Sequence, residues 1–110
     1  MFINPPAYQN INAEELQDKI ERNEDFLLLD VRTAQEHAAH AIEGSLLLPI
    51  QELSVRVGEL PKDKEIVAYC RVGNRSAFAA AYLARLGFNV KNLEGGILSW
   101  AGKRRFLAYA

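Results

Sequence analysis

Only one cysteine, Cys70, stands among the 110 residues of this chain. A lone thiol cannot close a disulfide within the chain, and no second cysteine gives metal-ligand spacing with His37 or His40. Neither a metal nor any other cofactor is expected. An excess of charge of one sign is also lacking: 13 Lys and Arg stand against 14 Asp and Glu, a formal net charge of -1. A nucleic-acid binder needs a basic excess, and the short run Lys103-Arg104-Arg105 does not supply one. No apolar run approaches the roughly 20 residues of a membrane span. The opening stretch MFINPPAYQNINAEEL has neither the basic start nor the apolar core of a secretion signal. Taken together, these absences predict a soluble, cytoplasmic protein with a free thiol and with no nucleic-acid or membrane partner.

The rest of the composition is that of an ordinary globular domain, 49% hydrophobic and 25% charged. A chain of this length is expected to form one domain, residues 1–110, and to bury roughly two thirds of its unfolded surface without metal or disulfide. Pro5-Pro6 places the first residues over the surface. A short extended piece from Tyr8 to Ile11 leads to Asn12, an N-cap with Glu15 in capping-box position and Ile11 and Leu16 spaced as a hydrophobic staple. Leu16 and Ile20 mark the apolar face of the helix that follows, ending near Asn23.

Phe26 to Val31 is apolar without alternation, as in a strand covered on both faces. Thr33 and Glu36 repeat the capping-box pattern and start a helix through about His40. Gly44 turns the chain into a buried strand, Leu46 to Leu48, closed by Pro49. A weaker helix spans Ile50 to Leu60, with Gly58 costing it about 1 kcal/mol relative to Ala. Ile66 to Tyr69 reads as the next strand, Ser76 to Leu86 as an Ala-rich helix stopped by Gly87, and Phe88 to Leu93 as a last short strand. Glu94-Gly95-Gly96 then turns into a helix carrying Ile97, Leu98 and Trp100. Short buried strands alternating with helices predict an α/β fold, a mostly parallel central sheet flanked by helices on both faces. Ligands of such sheets bind beyond the carboxyl ends of the strands, where Cys70 falls.

The loop Cys70-Arg71-Val72-Gly73-Asn74-Arg75 joins that strand to that helix. The helix start aims unpaired N–H groups into the turn. Arg71 and Arg75 sit where the helix dipole disfavours cations, which points to an anion between them and the amides. Gly73 is free to take φ > 0 and so lets the loop curl tightly, and Asn74 can cap the helix through its side chain. An unperturbed thiol is only about 3% thiolate at pH 7. Amides and arginines that lowered its pKa by roughly two units would make about three quarters of it thiolate, a nucleophile and a seat for an anionic persulfide sulfur. Asp30, Arg32 and Glu36 read as a structural cluster, with Arg32 placed to pair with Glu36. His37 and His40 lie on a surface helix without a link to Cys70, and Tyr69 and Trp100 read as core or pocket wall.

Three ordered motifs make the chain resemble a single-domain rhodanese over most of its length. The loop Cys70 to Arg75 is similar to that family's six-residue active-site loop. Asp30-Val31-Arg32 with Glu36 resembles its first signature, and Leu93-Glu94-Gly95-Gly96 with Trp100 resembles the segment near its end. The resemblance implies a sulfurtransferase. Cys70 would attack the outer sulfur of thiosulfate or a related small anionic donor, release sulfite and hold the sulfur as a persulfide. Cyanide, a thiol or a sulfur-carrier protein would then accept it. Arg71 and Arg75 would attract the donor, and the amides of Arg71, Val72, Gly73, Asn74, Arg75 and Ser76 would stabilise the sulfur.

The chain departs from the family at two places. His40-Ala41-Ile42-Glu43-Gly44-Ser45 stands where Gly-His-Ile-Pro-Gly-Ala is usual, displacing the histidine by one. Val72 occupies the place of a loop lysine in many thiosulfate-using members. Two other readings stand beside the enzyme: a non-catalytic interaction module of the same fold, and a cysteine-dependent phosphatase. The phosphatase chemistry uses five residues between cysteine and arginine, whereas four separate Cys70 from Arg75.

Overall fold

In a computed structural model, residues 8–101 are described. The expectations for Pro5-Pro6 and for Lys103-Arg104-Arg105 therefore lie outside the described residues. Strand β1 (Gln9–Ile11) leads into α1 (Ala13–Glu21), then β2 (Phe26–Asp30) and α2 (Ala34–Ala39). After β3 (Leu46–Leu47) comes a 3-10 turn (Ile50–Glu52), then α3 (Leu53–Arg56) and a second 3-10 turn (Val57–Glu59). Next are β4 (Glu65–Tyr69), α4 (Asn74–Arg85) and β5 (Val90–Leu93), and residues 96–101 are again helical. The five strands form one sheet in the order β1-β5-β4-β2-β3, every pair parallel. The α/β architecture read from the sequence is the one observed.

Both predicted capping boxes are present. Asn12 accepts the Glu15 N–H at 2.8 Å while Glu15 accepts the Asn12 N–H, and Thr33 and Glu36 exchange the same pair of bonds. Along β4, successive side chains feed opposite sides of the sheet. Ile66, Ala68 and Cys70 join a core with Leu53 of α3 and with Ala79, Ala80 and Leu83 of α4. Val67 and Tyr69 join a second core with Leu16 of α1 and with Ile97 and Trp100 of the closing helix. A strand buried on both faces has no polar side to show, hence the unbroken apolar runs.

Several expectations give way. The predicted buried strand from Leu46 to Leu48 is a two-residue edge strand in which Leu46 is 42% exposed, and the buried Leu48 lies just beyond its end. Among the described residues only one strand, β2, pairs with it, so the run packs from one side. The predicted continuous helix from Ile50 to Leu60 is broken into two 3-10 turns around the four residues of α3, with Gly58 inside the second turn. Ile20 is 40% exposed, which leaves Ala13 and Leu16 as the buried residues of α1. The register sets Asp30 beside both Leu47 and Tyr69, so β2, β3 and β4 end at one edge of the sheet. The turn after β5 returns to the same edge, because the Ile97 N–H donates to the Cys70 carbonyl at 2.9 Å.

Candidate active site

Strand β4 delivers Cys70 to that edge and points its side chain inward, at 1% exposure. Two backbone amides and one hydroxyl then surround the sulfur. The Gly73 N–H lies 3.1 Å from Sγ, the Ser76 N–H 3.4 Å and the Ser76 hydroxyl 3.3 Å. Gly73 reaches this position at φ +107°, a left-handed conformation that favours glycine, and it forms the N-cap of α4. The expected side-chain cap from Asn74 is absent, since Asn74 is already the first helical residue and is exposed. Ser76, two residues further on, is fully buried and presents both its amide and its hydroxyl.

Burial pushes the Cys70 thiol up, but the hydrogen bonds from Ser76, Gly73 and Val72 outweigh it and hold the thiol below its ordinary value. Hydrogen bonding to the charged form, rather than an arginine, dominates that shift. The loop is also clamped from behind: the Ile97 and Leu98 N–H groups donate to the carbonyls of Cys70 and Arg71 at 2.9 and 3.2 Å. Gly96 allows this close approach, because a Cβ there would stand 2.5 Å from the Cys70 carbonyl oxygen.

The two loop arginines part company. Arg71 is exposed and forms no ion pair among the described residues. Arg75 makes a bidentate pair with Glu36, Nη1 to Oε1 at 2.7 Å and Nη2 to Oε2 at 2.9 Å. The anion that the dipole argument required beside Arg75 is thus supplied by the chain itself. Arg32 does not pair with Glu36 as expected. It turns back onto Asp30, with Nε to Oδ1 at 2.9 Å and Nη2 to Oδ2 at 2.8 Å, and donates to the His40 carbonyl at 2.7 Å. Asp30 is fully buried and its Oδ2 also meets His37 Nδ1 at 2.8 Å and the Tyr69 hydroxyl at 3.1 Å. Burial pushes its carboxyl up, and the bonds from Arg32 and His37 more than reverse this.

Cys70, Gly73 and Ser76 are brought together around the sulfur, while the side chains of Arg71, Val72 and Asn74 face solvent at the rim. Asp30, Arg32 and Tyr69 lie at the neighbouring strand ends, joined to the cysteine strand by the Val31 N–H, which donates to the Tyr69 carbonyl at 3.1 Å. Two contributors escaped the sequence reading. Tyr69, which reads from the sequence as core or pocket wall, uses its hydroxyl to bond Asp30, the Ile42 N–H and Ser45. Asn92, taken only as part of a strand, is 5% exposed and touches both Gly73 and Ser76. An asparagine inside a short apolar strand was the available signal for it. Among the described residues no group of three or more His, Cys, Asp or Glu could hold a metal ion, and no helix is long and apolar enough to cross a membrane.

Comparison with known proteins agrees with this geometry. The chain is 45% identical over 92 residues to a protein of Allochromatium vinosum named sulfurtransferase, covering 83% of this chain and 86% of that one. It is 35% identical over 97 residues to the putative sulfurtransferase YtwF of Bacillus subtilis, covering 88% and 94%. The crystal structure of a rhodanese-related protein from Thermoplasma volcanium superposes with a TM-score of 0.81 at 38% identity, over 87% of this chain and 93% of that one. The model of the rhodanese-like domain matches residues 12–103. With the cysteine loop, the parallel sheet and these relatives in agreement, the chain belongs to the rhodanese-like domain family.

Proposed function

We propose that the protein is a sulfurtransferase that carries sulfur as a persulfide on Cys70. The observation that supports this most is the sulfur's surroundings: a thiol at a strand end, facing the Gly73 and Ser76 amides and held below its ordinary pKa. Donors placed in this way stabilise negative charge on sulfur. The names of the relatives from Allochromatium vinosum and Bacillus subtilis support the same reading.

In the first half-reaction the Cys70 thiolate attacks the outer sulfur of an anionic donor such as thiosulfate. The donor's S–S bond breaks, its electron pair leaves on sulfite, and a new S–S bond joins Cys70 to the transferred atom. Negative charge now sits on that outer sulfur, about 2 Å beyond Sγ. In the second half-reaction cyanide, a thiol or a sulfur-carrier protein attacks the outer sulfur. The pair of the cysteine S–S bond then returns to Sγ, regenerating the thiolate. Arg71, exposed at the rim, supplies attraction for the donor, whereas Arg75 is already neutralised by Glu36. A thiol that must stay free of disulfides to take up sulfur suits a reducing compartment such as the cytoplasm.

Intact-mass measurement tests the proposal. After incubation with thiosulfate or a polysulfide, the protein should gain the mass of one sulfur atom. The gain should vanish on treatment with dithiothreitol and be missing in Cys70→Ala. No adduct with any sulfur donor would defeat the sulfurtransferase reading.

A further inference from the structure

Asn92 lies on β5, beside the strand that carries the cysteine, and its side chain reaches two residues of the loop at once. Its Nδ2 donates to the Gly73 carbonyl at 3.3 Å and toward Asn10 Oδ1 at 3.4 Å. A carbonyl only accepts, so this contact fixes which end of the amide faces which way. Oδ1 must then point at Ser76, whose hydroxyl donates to it at 2.6 Å. That hydroxyl also lies 3.3 Å from the Cys70 sulfur, but it has a single proton. It can serve Asn92 or the sulfur, not both.

We propose that Asn92 is a positioning residue for Cys70 that acts through Ser76, its side-chain oxygen competing with the sulfur for the one hydroxyl proton. While the thiol is neutral, the three groups form a chain: Cys70 S–H donates to Ser76 Oγ, and Ser76 donates to Asn92 Oδ1. Loss of the thiol proton to solvent breaks that chain. Either Ser76 turns to the thiolate and leaves Asn92 Oδ1 buried without a donor, or it stays and the sulfur keeps only the backbone amides. In both cases ionisation loses a hydrogen bond that the neutral thiol had. The amides lower the thiol, and Asn92 limits how far. A sulfur of higher basicity is the stronger nucleophile, and a thiol less ionised at rest is less readily oxidised between turnovers. Once a sulfur has been loaded, the charge moves outward from Sγ and Ser76 is free to return to Asn92. These last consequences rest on the sulfurtransferase reading; the proton competition itself does not.

The pH dependence of Cys70 alkylation by iodoacetamide tests it, in the wild type, Asn92→Ala, Ser76→Ala and the double variant. Asn92→Ala should raise the acid-dissociation constant of the thiol about tenfold, the worth of one hydrogen bond to a charged group, and the double variant should lose that gain. Ser76→Ala alone should change the constant less than threefold. An Asn92→Ala profile that is unchanged or shifted to higher pH overturns the proposal, as does a gain that survives in the double variant. Should Asn92→Ala fail to fold, as judged by circular dichroism, Ser76→Ala decides alone: a fall of threefold or more means that Ser76 already serves the sulfur, and the proposal fails. No sulfur donor enters the measurement, so failure to form a persulfide and failure of the proton competition are read separately.

Discussion

Glu36 grips Arg75 with both carboxylate oxygens, at 2.7 and 2.9 Å, across 39 positions of sequence. Glu36 is itself fixed by its capping exchange with Thr33, so the arginine is anchored to the start of α2. The residue that closes the cysteine loop is therefore neutralised, and Arg71 is left as the loop cation that faces solvent unpaired among the described residues.

Releasing Arg75 should strengthen capture of an anionic donor. In Glu36→Gln the guanidinium keeps a hydrogen-bonding neighbour but loses the opposing charge. KM for thiosulfate should fall roughly two- to tenfold while kcat changes less. Steady-state kinetics at low ionic strength gives the answer. A KM that stays level or climbs would mean that Glu36 holds Arg75 in a productive place rather than masking it.

The same pair predicts a loss of stability in acid. The Arg75 guanidinium holds the Glu36 carboxyl down at about 2, against an ordinary 4.5. Its folded value lies below the unfolded one, so its contribution is complete above about pH 4.5 and disappears as pH falls toward 2. Both side chains are about a third exposed, at 36% and 29%, so the contribution is discounted to about 1 kcal/mol. Urea midpoints measured between pH 6 and pH 2 should fall less steeply in Glu36→Gln than in the wild type. Parallel curves would remove the pair from the acid response.

How much of this was legible in the sequence depended on distance along the chain. The capping boxes at Asn12 and Thr33 are local, three residues wide, and both formed. Gly73 was legible because a tight loop needs a left-handed residue there. Spacing alone could not choose between Asp30 and Glu36 as the partner of Arg32, nor bring Glu36 to Arg75 from 39 positions away. Asn92 and Ser76 meet only because β5 and β4 are neighbours in the sheet. Among the causes that lower the thiol, the bonds from Ser76, Gly73 and Val72 come first. With the Arg75 charge paired to Glu36, Arg75→Ala should move the midpoint of Cys70 alkylation by less than about 0.5 pH unit. A larger rise would restore the arginine to that role.

Asp30 and Arg32 form a buried charge pair beside Tyr69, at 0% and 4% exposure. Asp30→Asn would leave the Arg32 guanidinium buried without its counter-ion, which costs about 3–5 kcal/mol. Tyr69→Phe removes only the hydroxyl that serves Asp30, the Ile42 N–H and Ser45, and should cost about 1–3 kcal/mol. Urea unfolding at pH 7 should therefore rank Asp30→Asn well below Tyr69→Phe. The reverse order would show that Arg32 finds solvent easily once released.

Gly96 offers the sharpest test of how the loop is held. Its φ is +59°, and an added methyl would meet the Cys70 carbonyl oxygen at 2.5 Å and the Arg71 carbonyl oxygen closer still. These are backbone atoms, so they cannot swing aside as a side chain would. Gly96→Ala must push the closing helix and the cysteine loop apart, stretching the bonds from the Ile97 and Leu98 N–H groups to those two carbonyls. Strain and lost bonds together should lower stability by about 2–3 kcal/mol. The Gly73 amide depends on the same loop path for its 3.1 Å contact with Sγ, so the thiol should also become less acidic. Gly58 provides the control, because a Cβ there meets nothing within 4 Å and its φ is not positive. Gly58→Ala should leave the alkylation profile close to the wild type and should not lower the melting temperature. If Gly96→Ala behaves like Gly58→Ala in both measurements, the closing helix does not brace the loop.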